Sequence, residues 1–447
     1  MPSGQVERPE PPCVASAPAD RRGSIDTGLA DLGVIAAVVL LYALFSKSFE
    51  RGIVTPPMAF IAAGMLAGPK VLDIVGLEIT SGSGLVVAEL ALVIVLFSDA
   101  SRIDLRSLRG NASLPARLLG IGMPLTIGAG VIAAALLVTD LDFWEGAVLA
   151  AILAPTDAAL GKAVITSELV PRRVRQAINV ESGLNDGLSV PFLFLFLALA
   201  VEQTTEAGDW VGFAVEQIGL GAAVGLGLGG VGGWAIGRAV RRDTITGTFR
   251  QLSIVALAVL LWALAGELGG NGFIAAFVGG MVAGRITPAT GEHILDFAED
   301  EGELLNLAVF FIFGVAALEF LDALTLEIAL FALLSLTAIR MLPVTLALLG
   351  TGLSPRSIAF IAWFGPRGLA SIILALVVVE EEPTLPAIDF LLAAMTLTVL
   401  ASVVVHGATA RPLARAYGRH AETLRGDAPE IGEHPELPIR GRPKTEA

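Results

Sequence analysis

Residues 177–201 read AINVESGLNDGLSVPFLFLFLALAV. Glu181, Ser182, Asn185 and Asp186 stand at the head of a segment that, after Pro191, contains only Phe, Leu, Ala and Val. An apolar run of this length suits a bilayer crossing, which takes roughly 20 helical residues. A charged group at membrane depth costs about 2.5–3.5 kcal/mol on insertion scales, and such groups are usually paired or line an ion or proton path. The stretch therefore predicts a membrane helix and asks what its acids do there.

The rest of the chain has the same character. Of 447 residues, 54% are hydrophobic and 16% charged, against roughly 25% charged in soluble domains. Apolar segments recur at 28–45, 53–69, 84–100, 116–138, 145–166, 177–202, 211–238, 251–268, 271–285, 301–318, 325–349, 356–379 and 385–410. They predict an all-α polytopic membrane protein of about 13 transmembrane helices. The odd-numbered links carry Lys47 and Arg51; Arg102, Arg106, Arg109 and Arg117; Arg172, Arg173 and Arg175; Arg238, Arg241, Arg242 and Arg250; Arg285; and Arg356. The even-numbered links carry only Lys70. Cytoplasmic loops hold the Lys/Arg excess, so the N-terminus is expected outside the cell membrane and the C-terminus in the cytoplasm. Residues 1–27 and 411–447, rich in Pro and charge, read as disordered tails around a domain of 28–410. The net charge of −14 is partly carried by these tails and by acidic links such as Glu380 to Pro383, so no nucleic-acid surface is expected. Cys13, the one cysteine, has no partner for an internal disulfide.

Helical periodicity sorts the polar groups of the opening stretch. Ser182 and Asp186 share one face, Glu181 and Asn185 another, and Glu181 lies about 140° from Asp186 around the axis. The two carboxylates face different partners, which suggests that one exchanges a ligand while the other holds the scaffold. Two further segments are interrupted. In ILAPTDAALG (152–161), Pro155 removes a backbone donor, while Thr156 and Asp157 are good N-caps, so the fifth segment breaks and restarts. FGPRG (364–368) interrupts the twelfth in the same way. Broken helices at membrane depth line cavities, and their exposed carbonyls and helix ends coordinate cations. Being seven segments apart, the two cross in opposite directions, as an inverted repeat requires. Asp99, in VLFSDASRIDL (95–105), is the remaining acid at depth; it reads either as part of the site or as the end of a helix beside Arg102.

The set FSDASRIDL, PTDAAL, ESGLNDG and FGPRGLAS, in this order, resembles the monovalent cation:proton antiporters of the NhaP and sodium/proton exchanger type, over roughly residues 28–410. One departure is visible. The family's broken helix usually has Thr-Asp followed by Pro, whereas here Pro155 precedes Thr156. The resemblance implies inverted repeats with two broken helices crossing in mid-membrane, and a secondary transporter rather than an enzyme. It implies that Asp186 binds either the cation or the proton, that Ser182 and Thr156 offer neutral oxygens to Na⁺, and that Asp99 adds an acidic group nearby. Asn185 would tie the site to the fifth segment near Asp157, itself read either as an N-cap or as an ion ligand. Glu181 would pair with Arg367. Arg340, in LTAIRMLP (336–343), is left to snorkel or to pair with an acid such as Glu303.

Asn185 beside Asp186 further implies electroneutral exchange of about one proton per cation, with K⁺ or Li⁺ as alternatives to Na⁺. No cofactor is expected. A homodimer is implied, through the glycine-rich seventh segment or the first ones. Burial raises a carboxylate's pKa and a nearby cation lowers it, so cation and proton would expel each other from Asp186. Two other classes compete. A channel is disfavoured because the polar groups form no ring or pore loop. An intramembrane aspartyl protease using Asp157 and Asp186 needs two acids sharing a proton, and leaves Ser182 and Asn185 without a role. His293, His406, His420 and His434 form no transition-metal cluster. GLGGVG (227–232) has no strand before it and is no dinucleotide site; Gly221, Gly225, Gly229 and Gly233 instead predict close helix packing. NAS (111–113) falls on a cytoplasmic link, and the acidic link 291–307 reads as a helix entry.

Overall fold

A computed structural model describes residues 21–49, 54–76, 82–102, 113–139, 141–157, 159–201, 212, 215–286, 292–424 and 428–431. Among them every regular element is helical. The helices are α1 (Arg21–Phe49), α2 (Pro56–Ala67), α3 (Gly82–Ser101), α4 (Ser113–Leu137), α5 (Phe143–Ile152), α6 (Lys162–Ile165), α7 (Arg172–Val201) and α8 (Val215–Arg241). There follow α9 (Gly247–Glu267), α10 (Gly272–Ile286), α11 (Glu292–Phe320), α12 (Leu326–Leu348), α13 (Pro355–Trp363), α14 (Leu369–Glu381) and α15 (Ile388–Ala421). The fifth and twelfth apolar segments each hold a pair of helices where a break was expected, and the eleventh, α12, departs from helical geometry at Thr337, where none was. Seven spans among the described residues are individually long and apolar enough to cross a bilayer: α4, α7, α8, α9, Gly302–Ala323 (most of α11 and the short turn that follows it), α12 and α15.

Local chemistry sets the ends of the broken helices. Asp142 caps α5 by accepting from the Trp144 N–H at 2.9 Å, and Glu145 returns a carboxylate to the Asp142 N–H at 3.0 Å, a capping box. The helix stops at Ile152, just before Pro155, and regular structure resumes at Lys162. Ser354 caps α13 with Pro355 in the first turn, and Phe364 to Gly368 separate it from α14.

The glycines of α8 pack as expected, against α10. A Cβ on Gly225 would lie 2.8 Å from the Ala275 carbonyl, one on Gly229 2.6 Å from the Gly279 Cα, and one on Gly233 2.8 Å from the Ala283 Cα. This stripe is occupied within one chain, so the glycine face of the seventh segment is not the face open to a second copy. Leu226, Val231 and Trp234 of α8 point outward and are exposed.

The acidic link 291–307 is helical from Glu292 and continuous with the tenth segment as α11. The last helix runs to Ala421, beyond the expected end of the membrane domain at 410. Residues 1–20 and 432–447, with Cys13 and His434, lie outside the described residues, as do Asn111 and Ala112 of the NAS triplet.

Past α15 the chain returns to the bundle at residues 428–431. The buried Glu430 carboxylate accepts from the Ser354 N–H at 2.7 Å and the Ser357 hydroxyl at 2.8 Å, at the start of α13. Ser357 also meets the Tyr417 hydroxyl of α15, and Arg173 of α7 donates to the Pro429 carbonyl at 2.9 Å. A helix N-terminus collects unpaired N–H groups and favours an anion. Burial pushes the Glu430 carboxyl up, but the bonds from Ser354 and Ser357 outweigh it and hold it below the ordinary carboxylate range. A depressed folded pKa stabilises above the unfolded value and ceases to do so as pH falls through the folded one. Glu430→Gln is therefore expected to cost about 1 kcal/mol at pH 7, read as thermal unfolding in detergent. The difference from wild type should close as pH drops below the carboxylate range; a gap that persists there would remove the charge from this account.

Candidate ion-binding site

The two breaks interlock. The Asp157 N–H donates to the Pro366 carbonyl at 2.7 Å, joining the interruption after α5 to the one before α14. One oxygen of the Asp157 carboxylate accepts from the Ala159 N–H at 2.7 Å, and the other from the Leu369 N–H at 3.1 Å. Asp157 is thus an N-cap, but in large part for α14, the helix of the other break. The reason is local. The cap residue of α14 is Gly368, which has no side chain to offer, and a Cβ there would collide with the Asp157 carboxylate.

Arg367 ties the same knot from the opposite side. Its side chain is fully buried and donates from Nη1 to the carbonyls of Ala154 and Pro155, at 3.0 and 3.1 Å. These carbonyls lie where Pro155 and the turn behind it prevent a regular helical ladder. The sequence reading paired Glu181 with Arg367, and this pairing is corrected here. Glu181 takes Arg340 of α12 in a two-pronged bridge of 2.5 and 2.7 Å, with both residues buried. Arg367 remains an electrostatic neighbour of both. Nor does Arg340 reach Glu303, whose carboxylate meets Lys162 at 3.4 Å. Gly365 admits the arrangement, since a Cβ there would land on the Arg340 guanidinium.

The helix α7 joins this crossing through neutral groups. The Asn185 Nδ2 donates to Thr156 Oγ1 at 2.6 Å, and Thr156 Oγ1 lies 3.0 Å from Ser182 Oγ, all three residues being buried. Asn185 therefore ties α7 to the break near Asp157, at the neighbouring Thr156. Its Oδ1 accepts no hydrogen bond among the described residues. Asp186, the next residue, is only partly buried, in contrast to Glu181, Ser182 and Asn185 around it. Asp99 of α3 lies against the same motif, its Cβ 3.7 Å from where a side chain on Gly183 would begin. Thus Thr156, Ser182 and Asn185 form one connected cluster, Asp186 follows it on α7, Asp99 adjoins the motif, and Asp157 and Arg367 fasten the breaks behind.

Sequence reasoning missed the part played by α15. The Arg367 N–H donates to Ser402 Oγ at 2.7 Å, and His406 Nε2 lies 3.0 Å from the Trp363 carbonyl. The spacing of Ser402, His406 and Thr409, four and then three residues apart on one helical face, was the available signal.

Two interrupted helices locked at their breaks, beside a helix bearing buried polar groups, are the arrangement on which discontinuous-helix membrane proteins build their sites. The chain belongs to the sodium/hydrogen exchanger family, whose transmembrane model matches residues 34–416. It is 29% identical over 397 residues to the K(+)/H(+) antiporter NhaP2 of Shewanella sp. (strain ANA-3), covering 86% of this chain and 65% of that protein. It is 28% identical over 395 residues to the K(+)/H(+) antiporter NhaP of Alkalimonas amylolytica, covering 86% and 66%. The chain thus spans just under two thirds of the length of these relatives. The fold is that of the sodium proton antiporter MjNhaP1 from Methanocaldococcus jannaschii, with a TM-score of 0.71 and 22% identity over 86% of this chain and 98% of that one.

Proposed function

We propose that the chain is a secondary active transporter that exchanges a monovalent cation for protons across the cell membrane by alternating access, with Asp186 carrying either one or the other. About thirteen helices would cross the membrane as inverted repeats, the N-terminus outside and the C-terminus in the cytoplasm. The observation that carries the reading is the bond from Asn185 to Thr156, which docks the helix of Asp186 onto two interlocked breaks. One carboxylate among neutral oxygens from Thr156 and Ser182 suits a hard monovalent ion. The named relatives support K⁺ and the solved structure Na⁺, so both are tested. In a homodimer, the exposed Leu40, Leu41, Leu44 and Phe45 of α1 would supply the contact; a disulfide across Leu44→Cys in native membranes tests this.

The test is counterflow in sealed everted vesicles. Addition of Na⁺, K⁺ or Li⁺ should collapse a preformed proton gradient, with the preferred ion giving the lowest half-maximal concentration. A cation current that needs no proton counterflow would make the protein a channel instead. Asn185, a neutral residue beside Asp186, supports one proton per cation. Exchange in proteoliposomes should then be insensitive to an imposed membrane potential at clamped pH, and a rate that follows the potential would rule that stoichiometry out.

A further inference from the structure

We infer that His406 is a positioning residue of the ion site, holding from α15 the break whose Arg367 and Pro366 fasten the one after α5. The inference rests on the antiporter reading, since cation binding at Asp186 is the function it serves.

His406 is 1% exposed in the middle of α15. A carbonyl oxygen can only accept, so in the tautomer that carries its proton on Nε2, His406 donates to the Trp363 carbonyl, 3.0 Å away. Trp363 is the last residue of α13, and its carbonyl, left without an intrahelical partner, accepts from the Gly365 N–H at 2.9 Å inside the break and has a second lone pair for His406. The other ring nitrogen completes a relay. Ser402 Oγ accepts from the Arg367 N–H at 2.7 Å and in that tautomer donates to His406 Nδ1 at 3.2 Å; the Ser402 carbonyl, 3.1 Å from the same nitrogen, would take the proton in the other tautomer, but it lies inside α15 with its own helical amide. The imidazole also leans on the Trp363 ring, centroids 5.1 Å apart, and the indole N–H donates to Thr409 Oγ1 at 3.2 Å. One face of α15 thus grips residues 363 and 367, the two ends of the break. From 367 the path continues through the Arg367 side chain to the carbonyls of Ala154 and Pro155, next to Thr156 and its bonds to Ser182 and Asn185. A loosened Trp363 carbonyl would free the segment that sets where Thr156 stands.

Two variants of the full-length protein separate positioning from folding. His406→Phe keeps a ring against Trp363 but donates nothing, while His406→Gln retains an N–H able to reach the Trp363 carbonyl. Two readouts are taken on folded, reconstituted protein: amide hydrogen exchange across residues 363–372, and the half-maximal cation concentration for proton exchange. Loss of one buried hydrogen bond corresponds to roughly three- to tenfold faster local exchange. His406→Phe should show that acceleration with a several-fold rise in half-maximal cation concentration, and His406→Gln should restore both. Unchanged hydrogen exchange in His406→Phe overturns the proposal, as does a variant that loses only folded yield while its cation dependence stays wild type. If the wild type itself exchanges no cation for protons, the antiporter reading fails, and local hydrogen exchange alone decides whether His406 holds the break.

Discussion

Asp186→Asn should reduce cation–proton exchange to the level of empty vesicles while leaving the protein folded. The substitution conserves shape, removes the capacity to ionise and exchanges one accepting oxygen for an NH₂ donor. Because the bonds joining Asn185, Thr156 and Ser182 run between those three side chains and not through the Asp186 carboxylate, they should survive it. Its detergent melting temperature should stay close to wild type. A carboxylate must be deprotonated to bind a cation, so cation affinity and proton affinity oppose each other. In the wild type, the half-maximal cation concentration should therefore rise by up to about tenfold per pH unit on the acid side of the titration. Ser182→Ala should raise that concentration without abolishing exchange, since it removes a neutral oxygen and leaves the titrating group; Thr156→Val should raise it further, because it also removes the acceptor of the Asn185 bond that docks α7. Measured exchange by Asp186→Asn, or a cation dependence that does not move with pH, would relocate the competition to another acid. Asp99, against Gly183 on the same motif, is then the first to replace.

The legible parts of this site were those decided by local covalent chemistry. Pro155 lacks an amide proton, Gly365 and Pro366 cannot extend α13, and four-residue glycine spacing permits a close helix pair; each effect acts within a turn or two of the residue that causes it. The docking of Asn185 onto the fifth segment was likewise readable, from its neighbour Asp186 and the family's motif. What was not legible was the choice among distant partners of equal chemistry. Arg340 and Arg367 are both guanidinium groups on segments without another charge nearby, and only the packed bundle shows which meets Glu181. The same holds for Asp157. A cap for its own restarted helix was expected, yet Gly368 leaves α14 without a cap of its own, and the nearest carboxylate across the crossing supplies it. His406 looked inert in the sequence because its partner is a backbone carbonyl, which carries no residue signature.

Removing Glu181 should destabilise the protein more than removing Arg340. Both are buried, and breaking one side of a buried pair typically costs about 3–5 kcal/mol, because the remaining charge is stranded. The two sides are not equivalent here. Glu181→Gln leaves two buried guanidinium groups, Arg340 and the fully buried Arg367, as electrostatic neighbours with the shared anion gone. Arg340→Met leaves Glu181 with Arg367 still beside it, the pairing that the sequence alone suggested, and Arg367 has Nε and Nη2 unspent to receive it. Glu181→Gln is thus expected near the upper end of that range and Arg340→Met near or below its lower end. The double variant Glu181→Leu/Arg340→Met removes the pair together, but it still leaves Arg367 without its anion. It should therefore remain less stable than Arg340→Met alone, unlike an isolated ion pair, for which apolar replacement of both partners is often neutral or stabilising. Thermal unfolding of the three variants in one detergent, with folded yield as a control, reads the order directly. If Arg340→Met proves as damaging as Glu181→Gln, Arg367 does not share the Glu181 charge, and the crossing is held by its carbonyl contacts alone.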